Sequence, residues 1–477
     1  VHFDLIFADV LKTRGGFDLI VGNPPWARPI FDSEAVIGDI DPKHSIRRLD
    51  EEGRAIVMAQ ISASKTAREI FCSAYATAKG ITEVTGSSVM NPFAGGGKNN
   101  LYRCFIDLSF RLLAREGFAA LIHQDGHLTD PKSGSFRKEW YARITKHFEF
   151  SNKMTTKNFA EVHDELKFSL NIYRGQVGAV GFDKFTNAFL PSQIEESYWH
   201  DGTGVLPTIK NSEGKWDTRG HRDRIVFVDL PALSAIHSLT ESDAIPVDQA
   251  RFLQPYSAKM LDVFRKLALL PSWSAQHDHW QISHLWDETK AKRVQKTIRV
   301  GPDFVEGIND VVISGPTFHV GNSFYKGPTR VYRSSADYEI IDLSLMPDDF
   351  LPRSLFLRNK DIGEYRAMLP QCSWDHTKTH VDSFRIACRQ MNAVNGERSL
   401  ITSMIPKGPA HVLSVVSTSF KEVKDTISAF AMAMAIPFDG IVKILGQHLG
   451  KNVLSLLPWV EPSDTAKHRA LRLACLT

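Results

Sequence analysis

The chain has 477 residues, enough for two or three domains that each bury a core. Its 43% apolar and 23% charged residues exclude a disordered or fibrous chain. A net charge of +3 permits a nucleic-acid partner without arguing for one, because local patches decide. The cysteines (Cys72, Cys104, Cys372, Cys388, Cys475) are scattered and form no Cys-x-x-Cys pair. That argues against a disulfide framework or a zinc ribbon, and a reducing cytoplasm is expected. No basic-then-apolar leader opens the chain. The apolar run 427–436 is too short to span a bilayer and stops at Pro437, so no membrane partner is expected. The first residues already read as the interior of a domain, which predicts a fragment of a longer protein.

In chain order, residues 3–10 (FDLIFADV) and 17–21 (FDLIV) read as two buried strands, with a link too short for a crossover helix. An Ala-rich stretch predicts a helix over 51–79, with Gly80 as its C-terminal cap. Leu101, Phe105, Leu108 and Leu112 trace one face of a further helix that Gly117 stops. Strands are expected at 118–122, 148–151 and 168–173, with a helix over 136–146. This rhythm predicts a mostly parallel α/β sheet whose site lies at the strand C-termini. After Gly175 turns and tryptophans multiply, and a domain boundary is placed near 176. Beyond it, 250–293 reads as helical and 311–345 as short strands and turns. A charged amphipathic piece is expected at 381–391, and two helices around 437–440.

The stretch that carries most chemistry is Gly22-Asn23-Pro24-Pro25-Trp26. The prolines stiffen it and remove two N–H donors. The Asn23 side-chain oxygen and the Pro24 carbonyl would accept the hydrogens of an amino group on a planar base, and Trp26 would stack on that base. The plainer alternative is a stiff turn. Asp9, at the end of the first run, would either accept a hydrogen bond from a cofactor amino group or cap a helix. Phe159 would be a second stacking wall, sandwiching the base with Trp26, or a core anchor. Arg385 and Arg389, with Arg398 and Lys407, would read guanine and adenine edges or form a solvated face. The run 95–100 (GGGKNN) departs from a phosphate loop. His277, His279 and His284, and His376 with His380, lack further ligands at metal spacing, so no metal is expected. Glu288-Thr289-Lys290 is too little for a nuclease site.

With these residues in view, the chain resembles the N6-adenine DNA methyltransferases with the gamma order of motifs. More closely, it resembles the large methylases of type IIG restriction–modification and of the BREX and DISARM phage-defence systems. GFDLIVGNPPW (16–26) looks like their catalytic motif, and Ala8-Asp9 is similar to the acidic motif upstream of it. NLYRCFIDLSFRLLAREGFAALIHQDG (100–126) looks like the helix and strand that follow. NFAEVHDELKFSLNIYRG (158–175) looks like the closing motif, where Phe159 would pack on a flipped adenine. ISGPTFHVGNSFYKGP (313–328), GERSLITSMIPKG (396–408) and the LLP at 456–458 resemble the target-recognition region.

The resemblance implies a partial Rossmann-like methyltransferase sheet over 1–175, with its early strands missing. A mixed α+β target-recognition region would follow over 176–477, with a possible sub-boundary near 300. The implied reaction is S-adenosylmethionine-dependent methylation of the adenine N6 amino group in double-stranded DNA, in a prokaryotic cytoplasm. Asn23, Pro24, Pro25 and Trp26 would be catalytic, Phe159, Arg385 and Arg389 would bind DNA, and Asp9 and Asn23 would contact the cofactor. The family's glycine-rich cofactor loop precedes its catalytic motif, and this sequence has no counterpart. The remainder would come from an N-terminal part of the same protein or from a partner subunit. Two alternatives are a non-catalytic DNA-recognition fragment and a protein glutamine N-methyltransferase. The second is disfavoured by the long region after 175.

Overall fold

The computed structural model describes residues 3–46, 51–94, 100–153, 158–160, 162–163, 166–318, 322–334, 336–347, 349–391, 398–445 and 448–474. The GGGK run and the asparagines at 392 and 395 lie outside them. The chain divides into two compact units, Val1–Ser234 with Asp243–Leu261, and Ala235–Ser242 with Asp262–Thr477. The boundary expected near 176 thus falls inside the first unit.

Unit 1 opens with α1 (Phe3–Ile6) and α2 (Ala8–Arg14), where a strand was expected. Phe3 and Phe7, four residues apart, stack on one helical face, and Phe7 then meets Phe17 edge-on. A run of apolar residues this short fits helix or strand equally, and the i,i+4 aromatic pair decides. Gly15 (φ 73°) caps α2 in the left-handed region. At Gly16 a Cβ would lie 2.4 Å from the Ala114 nitrogen, so only glycine lets β1 (Phe17–Gly22) start beside β2.

Between β1 and β2 lie α3 (Ser33–Ile40), α4 (Lys43–Ile46), α5 (Glu51–Ala63), α6 (Lys65–Gly86) and α7 (Leu101–Leu112). The single helix expected over 51–79 is two helices, because the Ser64 hydroxyl accepts from the Ala67 N–H as an N-cap. α6 also runs through Gly80, its expected end. Beyond that glycine, the Thr82 hydroxyl donates to the Pro29 carbonyl and keeps the last turns docked. α7 buries Tyr102, Ile106 and Phe110 rather than the expected face, leaving Phe105 41% exposed. Its polar residues are inside because they are satisfied. Asp107 accepts from the Phe93 and Ala94 N–H groups, and Arg103 bonds Ser133 and Asp130.

β2 (Leu113–His123), α8 (Gly126–Thr129), α9 (Gly134–Arg143), β3 (Ile144–Ser151), β4 (Lys167–Arg174), β5 (Gly181–Ala188), α10 (Pro191–Trp199) and β6 (Val226–Asp229) complete the unit. The six-stranded sheet has the order β1-β2-β4-β3-β5-β6. It is mixed rather than mostly parallel. β1 pairs β2 and β3 pairs β5 in parallel, but β4 runs antiparallel to both its neighbours and β6 to β5. The C-termini of β1, β2 and β3 therefore share one end of the sheet with the start of β4. A fold with helices around a mixed sheet agrees with the α/β class expected.

The chain passes between units within α11 (Leu230–Thr240) and α12 (Ala258–Leu267). Unit 2 continues with α13 (Trp273–Gln276), β7 (Trp280–Ser283), α14 (Glu288–Arg293), β8 (Ile298–Phe304), β9 (Val312–Ile313), β10 (Lys326–Pro328), β11 (Tyr338–Ile340), β12 (Arg353–Arg358) and α15 (Ile362–Ala367). After these come β13 (Gln371–Cys372), β14 (Asp375–Thr379), β15 (Arg385–Arg389), β16 (Thr402–Ile405), β17 (Ala410–His411), β18 (Val415–Phe420) and α16–α19 (Val423–Ala433, Ile436–Leu445, Lys451–Leu454, Asp464–Ala474). Its main sheet is antiparallel, β16-β15-β18-β7, and β8 and β12 form a separate antiparallel ribbon. A stretch expected to be helical thus holds the strand β7. Pro437 lies in the first turn of α17, where its missing N–H costs nothing. Among the described residues no single helix is long and apolar enough to cross a membrane.

At Gly80 an added Cβ meets nothing within 4 Å. Gly80→Ala should therefore stabilise unit 1 by about 0.5–1 kcal/mol, read as a higher urea midpoint.

Candidate active site

Asn23-Pro24-Pro25-Trp26 leaves β1 at the end shared with β2 and β3, as an irregular turn with Asn23 and Pro25 exposed and Pro24 buried. Among the described residues, neither the Asn23 carboxamide nor the Pro24 carbonyl has a hydrogen-bond partner. Two acceptors on a rigid turn thus have no internal donor, and Asn23 is exposed to an external one.

Trp26 is held from two sides. Its indole Nε1 donates to the Ile122 carbonyl at 3.2 Å, and its ring stacks on Phe168 with centroids 5.8 Å apart. Phe168 in turn stacks on Phe150 at 5.4 Å. Just past Trp26, the Ala27 carbonyl accepts from the Leu101 N–H at 2.9 Å, tying the turn to the start of α7.

Phe159 lies beside this turn. Its ring lies 5.4 Å from Trp26 and 4.9 Å from Phe168, edge-on to both. With 75° between their planes, Trp26 and Phe159 cannot sandwich one flat base as they stand; one would stack while the other meets its edge. Asn152, just after β3, fixes this loop. Its amide donates to the Phe159 and Val162 carbonyls at 2.8 and 2.9 Å, and its oxygen accepts from the Phe159 N–H at 3.1 Å. Nothing in the sequence around Asn152 marks it out, since its partners become neighbours only when the loop folds back.

Beneath the turn runs a buried polar seam that sequence reasoning also missed. His123, at the end of β2, bonds the Tyr173 hydroxyl at 2.7 Å, and Trp140 donates to the same oxygen at 3.0 Å. Asp125 accepts from the Ser169 hydroxyl and lies 3.2 Å from His147. Glu149 pairs with Lys167 at 2.9 Å, while buried Lys184 has no hydrogen-bond partner among the described residues. Burial pushes the His123 imidazole down to about 4 and Lys184 down to about 8, the latter against the pull of Glu149 and Asp125. Burial alone would raise the Asp125 carboxyl, but His147 and Lys184 hold it below the usual carboxylate range. Apart from Trp140 in α9 and Asp125 just past β2, these side chains come from alternate positions of four strands, and period-2 spacing with polar residues looks the same when it faces water.

Other expected site residues fare differently. Asp9 sits in the first turn of α2, exposed, rather than at a strand end. Its carboxylate is open to solvent, as one side of a cofactor site would require. The described residues include no glycine-rich strand–loop to hold the other side. Arg385 is not a DNA reader. It is 0% exposed within β15 and donates to the Ser383, Pro406 and Pro409 carbonyls, so buried on every side it does not reach a duplex. The amphipathic pattern over 381–391 is that of a central strand with buried polar groups. Arg389 ends that strand half-buried, its N–H bonded to the Ile401 carbonyl. Arg398 closes the C-terminus of α16 by donating to the Ala433 and Met434 carbonyls. Lys407 lies over the Phe384 ring at 5.5 Å.

Asn152→Ala should release the Phe159 loop at a cost of about 1–3 kcal/mol, read as faster amide exchange at Phe159 and Val162 with the sheet's exchange unchanged. Acid should destabilise the fold through its buried imidazoles, His123 at about 4 and His380 at about 3. In the unfolded chain these titrate near 6.5, so below that pH the unfolded state binds more protons. Stability should therefore be level between about pH 6.5 and 8 and fall towards pH 4, with His123 alone accounting for about 3 kcal/mol. Urea midpoints across that window should show the fall, and His123→Gln should lessen it.

No known protein-family model matches the sequence, and no curated protein matches it. Among solved structures, the type IIL restriction–modification enzyme MmeI in complex with DNA is similar at 9% identity and a TM-score of 0.37 over 98% of this chain and 50% of that one. A nuclease-deletion mutant of the type ISP restriction–modification enzyme LlaGI is similar at 8% identity and a TM-score of 0.36, over 99% and 42%. The type I restriction–modification methyltransferase subunit from Streptococcus thermophilus is similar at 14% identity and a TM-score of 0.19, over 36% and 26%. The chain spans half or less of the length of each of these solved chains.

Proposed function

We propose that this chain carries the catalytic turn and the target-recognition region of an S-adenosylmethionine-dependent methyltransferase acting on the adenine N6 amino group in specific DNA sequences. Its setting would be restriction–modification or phage defence. The observation that carries the reading is the pair of unengaged acceptors, Asn23 Oδ1 and the Pro24 carbonyl, beside the half-buried Trp26 at the end of a strand. An adenine in duplex DNA has its amino group paired and stacked, so the base must be extruded to reach them. The two acceptors would take the amino hydrogens and draw the nitrogen lone pair out of conjugation. Trp26 or Phe159 would stack on the ring while the other meets its edge. S-adenosylmethionine supplies the electrophilic methyl group when bound, and Asp9 and Asn23 are the residues that would contact it. No residue of shifted pKa is needed as a base, since the amino proton can leave to water once nitrogen is alkylated.

The free edge of β1 supports a partner on that side. Leu19 and Val21 are 63% and 72% exposed, and among the described residues only β2 pairs with the strand. An apolar strand open on one edge calls for further strands, from an N-terminal part of the same protein or from a partner subunit. The same observation favours a second reading, in which this chain recognises DNA and needs that partner for chemistry. Calorimetry should show no S-adenosylmethionine binding by the chain alone, and tight binding would overturn the need for a partner. In the completed enzyme, Asn23→Ala should cut adenine methylation by about 100-fold or more while duplex affinity stays within about twofold. A variant that methylates at the wild-type rate would remove Asn23 from the reaction.

A further inference from the structure

With Arg385 and Arg398 committed to backbone carbonyls, unit 2 must meet a polyanion elsewhere. Residues 287–299 hold five cations (Lys290, Lys292, Arg293, Lys296, Arg299) against two carboxylates, Asp287 and Glu288. Asp287 is occupied as the N-cap of α14, accepting from the Lys290 N–H. Lys290, Arg293, Lys296 and Arg299 are exposed. Among the described residues, none of the five cations has a carboxylate partner within ion-pair distance. Several other cations of the unit do have such partners. Arg353 pairs with Glu339, Arg358 with Asp310, Lys378 with Asp375 and Lys467 with Glu461.

The segment is also held rigidly. Ala291 and Thr297 are fully buried, and the Thr297 N–H donates to the Ala291 carbonyl. Lys296 has φ of 53°, a left-handed conformation unusual for lysine. It is kept there by Asn359, whose backbone N–H donates to the Thr297 carbonyl and whose side chain donates to the Lys296 carbonyl. Like charges crowded on a fixed turn repel each other, and neutralisation by a polyanion relieves that. Arg299 is the second residue of β8, whose outward Val300 and Phe304 are also exposed and which pairs with β12 as a two-stranded ribbon. A cationic knuckle at the foot of such a ribbon suits a duplex, because phosphates anchor while an exposed strand can face a groove.

We infer that the knuckle formed by Lys290, Arg293, Lys296 and Arg299 holds the phosphate backbone of double-stranded DNA. This rests on the DNA reading above and adds to it the surface through which unit 2 makes contact. The test measures binding of the full chain to a labelled duplex by fluorescence anisotropy between about 50 and 200 mM salt. The Lys290→Gln, Arg293→Gln, Lys296→Gln, Arg299→Gln variant should bind at least about tenfold more weakly, with a salt slope shallower by about 2–4. Lys296→Gln and Arg293→Gln alone should each reduce the slope by about 1, which keeps the test valid if the fourfold variant misfolds. Neutralising the paired cations, by Lys378→Gln with Lys467→Gln, should change it by less. An unchanged slope in the knuckle variants, or an equal loss in the paired-cation control, overturns the inference while the DNA reading stands. Wild-type chain that ignores the duplex, or prefers single-stranded RNA, overturns both.

Discussion

The Trp26 indole is the joint on which unit 1 depends at its chemical end. A turn with two consecutive prolines makes few hydrogen bonds of its own, so its position is set from outside. The Nε1–H to Ile122 carbonyl bond ties it to β2, and the stack on Phe168 ties it to β4. Both contacts are available only because β4 inserts between β2 and β3. The same aromatic group takes in Phe159, so the turn after β1 and the loop after β3 share one anchor. Truncating the indole would loosen both loops together, which neither proline could prevent.

The seam of His123, Asp125, His147, Glu149 and Lys184 is an expensive feature to place under a sheet. Each ionisable group taken from water needs a partner or must give up its charge. The histidines give it up, while the carboxylates keep theirs beside Lys167 and Lys184. The consequence is a core whose strand register is specified by polar contacts as well as by shape. A one-residue slip of β4 would strand Ser169, Asn171 and Tyr173 away from His123 and Asp125. The ends of β2 and β3, and with β3 the loop that carries Phe159, are thereby fixed relative to each other.

Sequence reading found the strands with continuous apolar runs, β1, the end of β2 and β4, because an apolar run of strand length between turn residues leaves a plain signal even where, as in β1, much of it is exposed. It failed where polar residues go inside. Arg103 and Asp107 disguise the buried face of α7, and Arg385 looks like a reader of DNA until its three carbonyl partners are seen. It also failed at 3–10, where the stack of Phe3 on Phe7 selects a helix from an ambiguous string. The Asn-Pro-Pro-Trp turn was legible because its chemistry is local. Asn152, which holds the opposing loop, was not, because its role exists only across a gap in sequence.

The unpaired edge of β1 has a consequence for the chain on its own. Natural edge strands are blunted by lysine, proline or a bulge, and β1 has none of these at Leu19, Ile20 or Val21. A strand of this kind offers its backbone to whatever extended segment comes first. Isolated copies would then compete with the proper partner by pairing edge to edge, and that competition would grow with concentration. Assembly order becomes part of the protein's physics: the edge must be covered early, or self-association takes the place of the second wall.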